Sequence, residues 1–231
     1  MKWTDSGIIL STRPFGENSR ILSLLTPQYG RHAGLIKIPK SRSRLNIETG
    51  TFVEATWNAR LPEHLGQWTL ETTTATGAKL LPLPLPLTAL SSACHLTDQC
   101  LPERHPYPHL YDLLKQLIED FLQNPNWPIT YVNYELALLK ELGFGLDLSV
   151  CAATGQQDDL IYISPKTGRA VSRQAGEPYK AQLLPLPFYW INEDAAPDIR
   201  TSLAVTGYFL AQHLTEKKGL PVIRQRLVER V

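Results

Sequence analysis

The chain is 231 residues long and 43% hydrophobic, and 23 basic residues offset 22 acidic ones to a formal net charge of +1. That length buries a full core in one large or two small domains, and near-neutrality removes net charge as a guide to partners. No run approaches the ~20 uninterrupted apolar residues of a membrane span, Met1-Lys2-Trp3-Thr4-Asp5 does not open a signal peptide, and Cys94, Cys100 and Cys151 lack disulfide-framework spacing, which fits free thiols in a reducing cytoplasm.

From residue 7 to about residue 76 the signals are those of strands. Residues 7–12 and 20–26 are apolar runs of strand length, and Pro14, Gly16 and Asn18 supply turn chemistry between them. Residues 32–38, 51–61 and 67–73 follow, the last with Trp68, Leu70 and Thr72 in alternation. Five short strands with no helix of convincing length predict a small Greek-key barrel. The oligonucleotide-binding (OB) fold is the commonest such design, and an SH3-like barrel satisfies the same signals.

Leu81-Pro82-Leu83-Pro84-Leu85-Pro86 predicts a stiff extended connector, because alternating prolines neither continue a ladder nor enter a helix interior. Helices follow. The first covers residues 87–101 and places Cys94 and Cys100 in the core. The second opens at Pro108, with Leu110, Leu113, Leu114, Leu117, Ile118 and Phe121 on one face. The third spans about 129–142 and stops at Gly143. Residues 145–187 interrupt the pattern with a hairpin-like insertion, 160–163 against 169–171, before helix returns over about 199–214 and from 222 to the end. The fold class is therefore α+β: a five-stranded OB-type barrel over residues 1–80, then a helical domain over 81–231 carrying that insertion.

The insertion contains Cys151-Ala152-Ala153-Thr154-Gly155, the outline of a zinc knuckle in which Thr154 stands where the second thiolate belongs. A knuckle needs Cys-x-x-Cys because two thiolates on one tight turn bind the same tetrahedral ion. Where a second ligand pair would come, the chain reads Ser164-Pro165-Lys166-Thr167-Gly168-Arg169-Ala170-Val171-Ser172, without cysteine or histidine. The segment has the shape of a metal site without the ligands, and no metal or other cofactor is expected.

Nothing points to catalysis. The chain lacks a phosphate-cradling Gly-rich loop with a following Lys-Ser/Thr, a His-Glu-x-x-His and a Gly-x-Ser-x-Gly. His105 and His109 are four apart, but Pro106 and Pro108 keep them off a common helical face. Asp158 and Asp159, adjacent in a Gln-rich turn, read as a solvated loop rather than the paired carboxylates of a metal-dependent nuclease. No enzyme is expected.

The charges balance overall but not locally. Arg31, Lys37, Lys40, Arg42 and Arg44 fall in a stretch that meets no acid until Glu48. Lys40-Ser41-Arg42-Ser43-Arg44 lies between the third and fourth predicted strands. There Lys and Arg can neutralise phosphates and Ser hydroxyls can donate to phosphate oxygens. A solvated loop is the plain alternative. With Arg60 these residues form the candidate DNA contact, and Lys217, Lys218, Arg224 and Arg226 form a candidate second one. Trp57 and Trp68 are read as core rather than as stacking platforms.

In chain order, Gly7-Ile8-Ile9-Leu10-Ser11-Thr12-Arg13-Pro14-Phe15-Gly16-Glu17-Asn18, Leu25-Thr26, Gly30, the basic loop, Tyr134-Glu135-Leu136-Ala137-Leu138-Leu139, Leu142-Gly143-Phe144-Gly145 and the Cys151 run resemble the bacterial RecO family of recombination mediators along essentially the whole chain. The resemblance implies an OB barrel followed by a helical domain with a knuckle-like insertion. It also implies a non-catalytic cytoplasmic protein that binds single- and double-stranded DNA and anneals complementary strands. Such proteins contact the C-terminal tail of single-stranded-DNA-binding protein and, with RecR, help load RecA during DNA repair. Members that hold zinc use four cysteines in the insertion. This sequence matches only the first, at Cys151, so zinc is not carried over. The alternative is an adaptor whose barrel docks a protein instead of DNA.

Overall fold

The computed structural model describes residues 1–38, 47–213 and 219–231. In chain order the strands and helices are β1 (Lys2–Pro14), β2 (Ser19–Thr26), β3 (Gly30–Lys37), β4 (Phe52–Asn58), β5 (Gln67–Thr74), α1 (Thr76–Leu80), α2 (Pro84–Cys100), α3 (Pro108–Gln123), α4 (Trp127–Glu141), β6 (Leu160–Ile163), β7 (Ala170–Ser172), α5 (Arg173–Gly176), β8 (Leu184–Pro185), α6 (Ile199–His213) and α7 (Val222–Val228). They form two compact units: residues 1–127 with 221–227, and residues 128–220 with 228–231.

The first unit is built on a closed barrel of order β1-β2-β3-β5-β4. All its pairings are antiparallel except β3–β5, which run parallel with Leu35 opposite Gln67. That connectivity is the OB type. Closure removes the free edges that an open five-stranded sheet would present. Trp3, Ile9, Leu22, Leu24, Ile36, Val53, Ala55, Trp57 and Trp68 fill the interior, so both expected core tryptophans are core. β1 begins five residues before the expected strand. Its first half pairs with β4 and its second half with β2. Asp5 points inward there, which hides the apolar alternation. Its carboxylate accepts from the amides of Ser6 (2.9 Å) and Gln28 (3.0 Å), closing the β2–β3 turn.

The extended connector expected over residues 81–86 does not form, because α2 starts at Pro84. The first turn of a helix has no acceptors for its N–H groups, so Pro84 and Pro86 forfeit nothing there, and their fixed φ suits the helix. Leu87 N–H then donates to Leu83 O (3.0 Å), the first regular bond. α3 follows its sequence pattern, burying Leu110, Leu114, Leu117, Ile118 and Phe121.

The second unit contains α4, α6 and a small sheet of order β7-β6-β8. The expected hairpin is β6–β7. Strand β8, α5 and two 3-10 turns, Glu177–Gln182 and Phe188–Trp190, carried no clear sequence signal. Thr206 of α6 donates its hydroxyl to the buried carboxylate of Glu135 on α4. At the knuckle-like turn Cys151 is buried. Ser172 N–H donates to its sulfur (3.3 Å), the thiol donates to Ser172 Oγ (3.4 Å), and Cys151 N–H donates to Gln156 O (2.7 Å). Burial alone would raise the Cys151 thiol. Hydrogen bonds from Ser172 and Thr154 outweigh it and lower the thiol to about 6. Among the described residues no group of three or more His, Cys, Asp and Glu is placed to hold a metal ion, and no helix is long and apolar enough to cross a membrane.

Candidate nucleic-acid interface

Several strand ends meet at one rim of the barrel. The registers set Arg13 opposite Ile21, Pro14 opposite Arg20, Arg20 opposite Ile36 and Ser19 opposite Lys37. Arg13, Arg20 and Lys37 therefore lie on three neighbouring strands at the same end. β4 finishes at the opposite end of β1, where Asn58 pairs with Lys2, and it reaches β3 only through Gln67, which pairs with both Asn58 and Leu35. The loop over residues 59–66 carries Arg60 on the other side of the β3–β5 seam from Lys37. Two shallow depressions flank the β3–β5 seam and share Leu35 and Gln67. One, of about 330 Å³, has Lys37 in its wall, and the other, of about 530 Å³, has Arg60.

Arg13, Lys37 and Arg60 are exposed and Arg20 is half-buried. Among the described residues none of the four forms an ion pair. The carboxylates of the adjoining loops, Glu17 and Glu63, are not paired with them either. Four cations without close counter-charges sustain a positive potential over the seam, which favours a polyanion.

A strap braces the Arg60 loop from outside. After α2 the chain crosses the start of β3, where Arg31 pairs with Glu103 in a parallel bridge and Arg104 N–H donates to Arg31 O (2.8 Å). The Arg31 guanidinium lies 3.3 Å from both Asp98 and Glu103, and its Nε–H donates to Leu101 O (2.7 Å). Arg104 continues to the 59–66 loop, where one Nη donates to the carbonyls of Glu63 and His64 (3.2 Å each). From inside, Trp57 Nε1–H donates to Leu65 O of the same loop (3.1 Å). Gly30 permits the crossing: its φ is +65°, and a Cβ there would collide with the His105 carbonyl.

Beneath the strap sits His32, 5% exposed and edge-on to Trp3 and Trp57 at centroid distances of 5.1 and 4.7 Å. Neither ring nitrogen has a hydrogen-bond partner among the described residues. Burial first, then the nearby positive charges of Arg104 and Arg31, hold its pKa down at about 4.

Of the residues chosen from the sequence, Lys37 and Arg60 lie on either side of the seam, in separate depressions. Arg31 lies on the same strand as Lys37, but two carboxylates already meet its charge. Lys40, Arg42 and Arg44 lie outside the described residues, as do Lys217 and Lys218. Arg226 is exposed on α7, whereas Arg224 is 3% exposed. Sequence reasoning missed Arg13, Arg20 and Arg104. The first two flank a Pro-Phe-Gly turn, and that hairpin signal was enough to put them at one end.

This rim and barrel place the molecule among OB-type barrel proteins that carry a helical extension. The family model described as Recombination protein O N terminal matches residues 1–75, and that described as Recombination protein O C terminal matches residues 85–220. A protein of Rhodospirillum centenum named DNA repair protein RecO is 49% identical over 237 residues, covering 100% of this chain and 94% of its own length. Proteins of the same name from Bartonella quintana and Rhodospirillum rubrum are 44% and 40% identical, covering 99% and 100% of this chain and 97% and 96% of their own lengths. The chain belongs to the RecO family of DNA repair proteins.

Proposed function

We propose that this protein is a non-catalytic recombination mediator of the cytoplasm that holds DNA on the barrel rim. It binds single- and double-stranded DNA, anneals complementary strands and, with RecR, helps load RecA onto DNA coated by single-stranded-DNA-binding protein, whose C-terminal tail recruits it. The observation that carries this reading is the set of cations at the β3–β5 seam that lack counter-charges. Lys37 and Arg60 line it, Arg13 and Arg20 extend it, and Lys40, Arg42 and Arg44 add charge from the segment that follows β3. Arg31 supports the surface through the strap. Arg226, with Lys217 and Lys218, is the secondary contact, from which the burial of Arg224 removes one member.

A mediator without an energy source acts only through differential binding. Recruitment to the coat raises the local concentration of the rim. The rim then competes for phosphates as the coat exchanges, and a complement or recombinase traps the released strand. Anisotropy of a labelled single strand at two salt concentrations tests the binding step. The parent should bind with a steep salt dependence, and the Lys40→Ala/Arg42→Ala/Arg44→Ala variant with a shallower one. Little affinity at either salt concentration would favour the adaptor reading. Annealing of coated strands with and without the coat protein's tail tests recruitment, and indifference to the tail would contradict it.

A further inference from the structure

Among the described residues of the barrel, Phe15 is the exposed aromatic side chain. It is 51% exposed, and its neighbours Arg13, Pro14, Gly16, Glu17 and Asn18 are all exposed as well. The backbone around it is nevertheless fixed. Phe15 N–H donates to Ser19 O (3.0 Å), and Gly16 makes the turn with φ of +67°. Ile38 N–H donates to Asn18 O (2.9 Å), tying the turn to the end of β3. Ser19, directly after the turn, lines the same depression as Lys37. A phenyl ring in water, on a braced turn beside Arg13, Arg20 and Lys37, three cations without ion-pair partners among the described residues, is a feature that core packing does not account for.

Resting on the reading of the rim as a DNA surface, we propose that Phe15 is a base-stacking platform that gives the rim its preference for unpaired strands. The cations hold phosphates of any DNA, whereas the ring engages only a base whose π-face is free. A duplex offers such a face only at its ends. The turn sets the ring at the edge of the phosphate track, so one nucleotide can meet a cation and the ring together.

The test compares Phe15→Ala, Phe15→Leu and Phe15→Trp with the parent on an oligothymidine and on a blunt duplex of equal length at one salt concentration. Thermal melts of all four proteins should coincide, since the residue is exposed. Phe15→Ala and Phe15→Leu should each lose about tenfold in single-strand affinity, the scale of one stacked base, and less than about twofold on the duplex. Phe15→Trp should restore single-strand binding, with its added emission quenched by the oligothymidine and not by the duplex. A parent that binds while Phe15→Ala matches it, or equal losses on both DNAs, or rescue by leucine, would overturn the stacking role and leave the rim reading standing. A parent that binds neither DNA would overturn the rim reading and this inference with it.

Discussion

In the barrel, Trp3, Trp57 and Trp68 enclose His32, and the outward cations Arg13, Lys37 and Arg60 have no carboxylate partners among the described residues. In the insertion of the second unit, the buried sulfur of Cys151 is held by polar groups, and each of three cations has its own carboxylate. Arg169 meets Asp147 (3.3 Å), Arg173 meets Asp159 (3.1 Å) and Lys180 meets Glu177 (2.6 Å). The barrel is held by apolar burial, which leaves its surface charge available. The insertion has little to bury, so it uses its charges on itself. Exposed pairs of that kind add little stability, but they do cancel potential. A count of basic residues therefore says less about a polyanion surface than a map of which ones are already neutralised.

His32 gives a large effect with which to test the barrel side. Its folded pKa lies below the unfolded value, so its contribution is complete above about pH 6.5 and is lost as pH falls towards 4. The depression corresponds to about 3 kcal/mol over that window. His32→Phe should flatten the acid limb of the melting profile. An unchanged limb would mean that carboxylates alone govern acid unfolding.

Charge removal comes next. Arg13→Ala/Arg20→Ala/Lys37→Ala/Arg60→Ala should make the single-strand salt dependence shallower by about 3 in the log–log slope, from ~0.7 per phosphate contact. Arg169→Ala/Arg173→Ala/Lys180→Ala removes three charges and should leave the slope unchanged. Equal effects from the two sets would erase the distinction between free and neutralised cations.

Cys151 tests the insertion side. Cys151→Ala deprives the buried Ser172 amide of its acceptor and should cost about 1 kcal/mol in the second unit. With the thiol at about 6 and its unfolded value at 9.0, the parent should gain stability as pH rises between the two, and the variant should not. A metal chelator should leave the melt of the parent unchanged. A chelator-sensitive melt, or one zinc per chain by elemental analysis, would show that the insertion is held by a metal after all.

The barrel was legible because strands β2 to β5 alternate or run apolar at strand length. β1 was seen only from Gly7, since the inward Asp5 breaks the pattern. The prolines at 84 and 86 misled because proline is read as a breaker, although the first turn of a helix accepts it. Lys37 and Arg60 could be named because they are charged and near a basic run. Arg13, Arg20 and Phe15 join them only through register, which pairs residues far apart in sequence. The neutralisation of Arg31 by Asp98 was invisible for the same reason, with 67 positions separating the two.

The strap has a further consequence, for portability. The N- and C-terminal RecO regions cover residues 1–75 and 85–220, and a cut between them leaves the strap at residues 101–105 on the wrong side. A barrel excised at residue 75 would keep the glycine that makes room for the crossing and lose the crossing itself. The Arg31 carbonyl, the Arg31 guanidinium and the Glu63 and His64 carbonyls would all lose their partners at once. The 59–66 loop would keep the Trp57 bond and the backbone bonds at its two ends, from Met1 and Leu35, but lose its outer brace. Grafted onto another protein as a cassette, this barrel should arrive with a loosened Arg60 loop, so its useful unit of transfer is residues 1–127 with 221–227 rather than the five strands.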